Sequence, residues 1–236
     1  MKKISFLVLF IAQTLFCLGQ KADSSNYLNN IKDELNKVWP NNRTINLVFH
    51  GHSVPAGYRA NHEVNILESY PNLLLKKLKA QYPYAVINVI VTAIGGETSV
   101  KGQARFDTDV LPHKPDVLFI DYALNDRNIG LEAAKAAWEK MIKDALKHHV
   151  KVVLLTPSPD TRVNMLATDD KSLQAHAEQI KALAEKYHVG LSDSFSVFQN
   201  MVRSGGSITP YMAYVNHPNL AGHEIITNEI FKWFNK

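Results

Sequence analysis

Four short polar segments hold the residues of this chain best placed to do chemistry. The first is Phe49-His50-Gly51-His52-Ser53-Val54-Pro55-Ala56-Gly57-Tyr58. It sets a serine hydroxyl at a glycine-containing turn, where it can meet a substrate. The second is Thr92-Ala93-Ile94-Gly95-Gly96-Glu97-Thr98-Ser99. Backbone amides at such a glycine-rich helix start point outward and favour negative charge. The third, Asp121-Tyr122-Ala123-Leu124-Asn125-Asp126-Arg127, offers the Asn125 amide as a hydrogen-bond donor. The fourth, Asn216-His217-Pro218-Asn219-Leu220-Ala221-Gly222-His223, has a loop histidine beside a proline that fixes the chain. Taken singly, each has a plainer reading: a turn serine, an ordinary βα turn, a turn-forming Asn-Asp pair, a surface histidine. A dinucleotide site is disfavoured, because the Gly-x-Gly-x-x-Gly spacing is absent.

The surrounding elements decide whether these segments can meet. Apolar runs at 45–49, 85–91, 116–122, 151–156 and 189–192 read as strands. Helical patterns fall at 24–38, 71–82, 98–111, 131–148, 171–187 and 220–234. Strands alternating with helices predict βαβ units, hence a parallel five-stranded sheet covered on both faces. The run Ala85–Val91, apolar throughout, reads as a strand buried on both faces. In such sheets ligands bind beyond the carboxyl ends of the strands. Three of the four polar segments directly follow a strand.

Length and composition agree with a single globular domain: 236 residues, 46% hydrophobic and 20% charged. The formal net charge is +4 and the basic residues are scattered, so no nucleic-acid partner is indicated. Lys2-Lys3, the apolar run Ile4–Leu18 and small Gly19 have the layout of a secretory signal peptide. The run is shorter than the roughly 20 residues of a spanning helix, so no membrane span is expected in the mature chain. The expected division is 1–19 signal peptide, 20–42 leading helix, and 43–236 main domain, exported to the periplasm or secreted. A lipoprotein reading through Cys17, the only cysteine, is the rival. Bulky Phe16 ahead of it argues against that reading.

The order and spacing of the four segments resemble the four blocks of the SGNH/GDSL hydrolases, across Ile45 to Phe234. The family's Gly-Asp-Ser stands here as Gly51-His52-Ser53, and its second block as Gly96-Glu97-Thr98-Ser99. Its Gly-x-Asn-Asp stands as Ala123-Leu124-Asn125-Asp126, and its His-Pro-Asn as His217-Pro218-Asn219, with Gly222 after it. The resemblance implies a flavodoxin-like three-layer α/β/α fold and ester hydrolysis. Ser53 would be the nucleophile and His217 its base. The amides of Ser53 and Gly96 with the Asn125 side chain would form the oxyanion hole. His52, Asp126 and Arg127 are candidates for the rim of the site or for substrate contact. No cofactor is implied.

Three departures from the family pattern stand out. His52 replaces an aspartate that braces the loop. Ala123 replaces a glycine and suggests a tighter turn. Tyr214 occupies the position, three before the histidine, where the family carries its catalytic acid. Three outcomes are open for His217. Its Nδ1 proton goes to a backbone carbonyl, a carboxylate such as Asp193, Asp160 or Glu63 substitutes, or the enzyme is impaired. Of the remaining polar groups, His50-x-His52 lacks a third ligand cluster, so no metal is expected. His148-His149 reads as a solvated pair at a helix end, and Arg105 and Asp107 as a pair bracing a helix. The combined reading is an exported carboxylic-ester hydrolase acting on a small-molecule or glycan ester, with a small acyl group such as acetyl on carbohydrate. The rivals are a non-catalytic carbohydrate-binding module on the same fold and a thioesterase or lysophospholipase.

Overall fold

The computed structural model describes residues 22–235; the expected signal peptide and Cys17 lie outside them. In chain order the elements are α1 (Asn29–Asn36), β1 (Thr44–Gly51), α2 (Ser53–Ala56), α3 (Tyr70–Gln81), β2 (Val86–Val91), α4 (Ser99–Ala104), α5 (Phe106–Asp109) and β3 (Val117–Asp121). They continue with α6 (Ala123–Asp126), α7 (Leu131–Lys147), β4 (Lys151–Leu155), α8 (Leu173–Tyr187), β5 (Gly190–Ser192), α9 (Ser194–Arg203), β6 (Met212–Tyr214), β7 (His217–Pro218) and α10 (Leu220–Phe231). Strands β1 to β5 form the expected parallel sheet, in the order β2-β1-β3-β4-β5.

Side-chain alternation along the strands makes the three layers. Leu47, Phe49, Val117, Phe119 and Val153 face one buried cluster, while Val48, Leu118, Ile120, Val152 and Leu154 face the other. The first cluster is closed by α1, α3, α9 and α10, the second by α5, α7 and the later part of α8. The leading helix is thus part of the core. Leu28, Ile31 and Leu35 are almost fully buried in it, each contributing about 1.5–3 kcal/mol of apolar burial. The helix leaves the α conformation at Lys37, short of the expected Val38, which is exposed.

Two expectations are corrected by the sheet and its flanks. Strand β2 is an edge strand, not a doubly buried one: Val86 is 46% exposed and no residue of the strand is fully buried. An apolar run records burial of the segment but not its position in the sheet. The helix expected over 98–111 is broken at Arg105, whose ψ of 10° turns the chain. The turn buries Phe106 in the core and aims the Arg105 guanidinium at Glu97.

The strand order places the topological switch point between β1 and β3. The crevice beyond their carboxyl ends is where such sheets hold ligands. Here β1 delivers His52 and Ser53, β3 delivers Asp121 and Asn125, and the loop after β2 delivers Gly96.

Candidate active site

Ser53 is the first residue of α2, directly after β1. Its Oγ lies 2.9 Å from His217 Nε2, within working distance of a nucleophile and its base. The histidine arrives on the small β6–β7 hairpin, which was not expected from the sequence. That hairpin is tied to the loop after β4, where Thr161 donates from both its amide and its hydroxyl to the Val215 carbonyl.

Among the described residues, neither the Ser53 nor the Gly96 amide has an acceptor. Gly96 has φ +77°, a conformation other residues rarely adopt, and a side chain there would project into open space. Asn125 Nδ2 donates to the Glu97 carbonyl at 2.8 Å, which ties α6 to the Gly96 loop. The amide carries a second N–H besides this one.

Behind that loop is an ion-pair network the sequence did not reveal. Arg105 Nη2 meets Glu97 Oε2 at 2.6 Å and Arg105 Nε contacts both carboxylate oxygens. Arg105 also pairs with Asp109, and Tyr122 donates its hydroxyl to Glu97. Asp107 is not its partner: residues two apart point to different sides of a helix, whereas residues four apart share a face.

The candidate rim residues divide. His52 and Asp126 have no exposed surface, so neither lies on the rim. Asp126 accepts from the Ser99 amide at 2.8 Å and from Trp138 Nε1 at 2.7 Å, a brace between α4, α6 and α7. Burial pushes its carboxyl above the usual aspartate range. His52 caps α2, its Nδ1 accepting from the Val54 amide at 3.3 Å. Arg127 is half-buried and reaches Asp160 at 2.9 Å.

The imidazole of His217 is the unusual part. Among the described residues its Nδ1 has no hydrogen-bond partner, neither a backbone carbonyl nor a substitute carboxylate. Asp160 is buried, but Arg127 and Arg162 occupy it. Asp193 instead caps α9 and pairs with Lys181, and Glu63 is exposed. Aromatic rings flank the histidine instead. Tyr58 and Tyr214 each lie with ring centroids 6.2 Å from it. Burial, reinforced by His52 and Arg162 and opposed by Asp160, pushes His217 down to about 4. The ring is therefore neutral, and able to accept a proton, as pH falls from neutrality until about that value. Beside it opens a cavity of about 430 Å³ lined by Tyr58, Arg59, Asn61, His62, Tyr214 and His217.

The profile of the GDSL-like lipase/acylhydrolase family matches residues 49–225, which takes in all four polar segments. The chain belongs to that family. It is an esterase of the SGNH type, in fold and in the order of its motifs. Among curated relatives, an acetylxylan esterase of Geobacillus stearothermophilus is 23% identical over 171 residues, 66% of this chain and 75% of that one. An uncharacterized lipoprotein of Bacillus subtilis is 32% identical over 81 residues, 31% of this chain. The match spans only 33% of that lipoprotein's length. Among solved structures, the acetylxylan esterase Axe2 of the same Geobacillus superposes with a TM-score of 0.70 at 22% identity. The superposition covers 81% of this chain and 94% of Axe2. A two-domain esterase active on acetylated mannans superposes with a TM-score of 0.70 at 21% identity, covering 88% of this chain and 52% of that one. Structural variants of Axe2 described as catalytic replace a serine, an aspartate and a histidine.

Proposed function

We propose that this esterase removes small acyl groups, acetyl foremost, from carbohydrate, with Ser53 as nucleophile and His217 as base. The observation that carries the reading is the 2.9 Å contact between Ser53 Oγ and His217 Nε2, supported by Ser53 and Gly96 amides that have no acceptor among the described residues. Ser53 Oγ attacks the acyl carbon as its proton passes to His217 Nε2. The Ser53 and Gly96 amides and Asn125 Nδ2 receive the oxyanion. His217 then returns the proton to the leaving alcohol, and water completes the cycle by the same route. The cavity beside His217 suits a sugar, with aromatic faces for stacking and polar groups for hydroxyls. The acetylxylan and acetylated-mannan relatives support the same alcohol class. The layout of residues 1–19 supports removal of a leader and action outside the cytoplasm, and the lipoprotein relative fits export. No helix of the described residues is long and apolar enough to cross a membrane.

A panel of 4-nitrophenyl esters from acetate to octanoate, run beside acetylated xylooligosaccharide, tests the substrate class. Acetate is expected to give the highest kcat/KM, with acetate released from the oligosaccharide. A maximum at long chains would favour the lysophospholipase or thioesterase reading instead.

The exposed position of Tyr214 allows a second test. Tyr214 and His217 are cross-strand partners in the hairpin, so their side chains leave the same face. Tyr214→Asp is expected to give His217 Nδ1 an acceptor and raise kcat by about tenfold. That is a fraction of what an aspartate is worth in an intact triad. KM should rise as well, because a ring is lost from the cavity wall. Steady-state kinetics on the purified variant decide it: a kcat that falls means that a carboxylate at 214 does not engage the ring.

A further inference from the structure

Ser53 Oγ is flanked by two imidazoles, and only one of them has a carboxylate behind it. His217 Nε2 is at 2.9 Å and its far nitrogen is unpartnered. On the other side, His52 Nδ1 is 3.5 Å from Ser53 Oγ, and His52 Nε2 is 3.4 Å from Asp121 Oδ1. The four side chains of this second arm are all but sealed: His52 and Tyr70 have no exposed surface, Asp121 keeps 3% and Ser53 7%.

The proton positions follow from the partners. The Val54 amide donates to His52 Nδ1, so that nitrogen is bare and the ring proton sits on Nε2, facing Asp121. Asp121 accepts one further bond, 3.0 Å from the Tyr70 hydroxyl on its other oxygen. At 3.4 Å the His52–Asp121 approach is long and poorly aligned for a hydrogen bond, and neither atom has another partner. A buried carboxylate and a buried imidazole N–H are each costly when left alone, so each is the other's compensation. The strands force the meeting. Gly51 and Asp121 are register partners on β1 and β3, and a side chain at Gly51 would come within 2.5 Å of the Asp121 carbonyl.

Resting on the Ser53–His217 reading, we propose that His52 and Asp121 are a positioning pair for the nucleophile. Asp121 holds His52 in the Nε2–H tautomer. The bare Nδ1 then fixes the start of α2 through the Val54 amide, and with it the backbone that carries Ser53. The aspartate that the family carries at position 52 would reach Val54 and no further. Histidine extends the cap to a carboxylate. The chain that lacks an acid behind its base has one beneath its serine.

Two conservative variants test the pair. His52→Asn keeps an acceptor for the Val54 amide but cannot reach Asp121. Asp121→Asn keeps the shape and removes the charge. Each is expected to lower kcat on 4-nitrophenyl acetate about 10- to 100-fold with KM within twofold. The double variant should fall no further than the worse single one, because both act along one path. A residue that only caps the helix would lower the melting temperature and leave kcat of the folded enzyme within twofold in His52→Asn. That result, with Ser53→Ala inactive, overturns this proposal and leaves the serine reading standing. Activity that survives Ser53→Ala overturns the serine reading itself. Should either variant fail to fold, imidazole ¹⁵N shifts of wild-type His52 decide. An Nε2–H tautomer is expected, and an Nδ1–H tautomer would sink the idea.

Discussion

Ser53→Ala is expected to lower kcat/KM for 4-nitrophenyl acetate by about 10³-fold or more, to the residue of catalysis that oxyanion donors and binding supply alone. The size of the fall carries information. In a serine protease, removing the aspartate alone costs about 3 × 10⁴ in kcat, while removing the serine or histidine costs about 2 × 10⁶. A serine–histidine pair with nothing to replace the acid would therefore stand only about 10²-fold above its floor. Here the histidine lacks a partner on Nδ1, but the serine is held from below by His52 and Asp121. A fall beyond 10² measures what that arrangement supplies. His217→Ala should match Ser53→Ala within about tenfold, since residues acting as a unit are not additive. Should Ser53→Ala leave the rate unchanged, Ser53 is not the nucleophile and the serine reading fails.

Much of the fold was legible because periodicity and alternation are strong signals. The five strands fall within a residue or two of the apolar runs, and the layers follow from alternate residues such as Val48 and Phe49. What failed was local. Helix α9 was missed although Asp193 caps it and Phe195, Phe198 and Val202 recur at helical spacing. The β6–β7 hairpin is too short for any periodic pattern, and tertiary bonds from Thr161 hold it in place. In the candidate site, the first and fourth motifs held Ser53 and His217, which the fold brings into contact. Asp121 was inside the third motif yet not singled out. Its role depends on the register of β1 against β3, which no single segment contains. The Glu97–Arg105 pair was hidden for the same reason: the helix break at Arg105 that aims the guanidinium is a tertiary event.

Asn125→Ala is expected to lower kcat by about 10²–10³, roughly 3–4 kcal/mol of transition-state stabilisation, with KM little changed. The asymmetry between kcat and KM follows from where the charge is. The substrate carbonyl is neutral, so the donors gain most of their energy only as the oxyanion forms. One N–H of Asn125 is already committed to the Glu97 carbonyl, which sets the amide plane and leaves the other pointing by geometry rather than by choice of rotamer. Its anchor is itself anchored, because the Glu97 carboxylate is clamped by Arg105 and by the Tyr122 hydroxyl. Such a donor needs no reorganisation when charge develops, which is why its loss is costly. The variant also frees the Glu97 carbonyl, so loosening of the Gly96 loop must be separated from loss of the donor. Arg105→Lys does this: it weakens the bidentate clamp on Glu97 while keeping the charge and leaving Asn125 intact. If Asn125 acts as a donor, Asn125→Ala should exceed Arg105→Lys in its effect on kcat by at least about tenfold, judged from the worth of one oxyanion donor. Equal losses would mean that the loop, and not the amide, carries the effect.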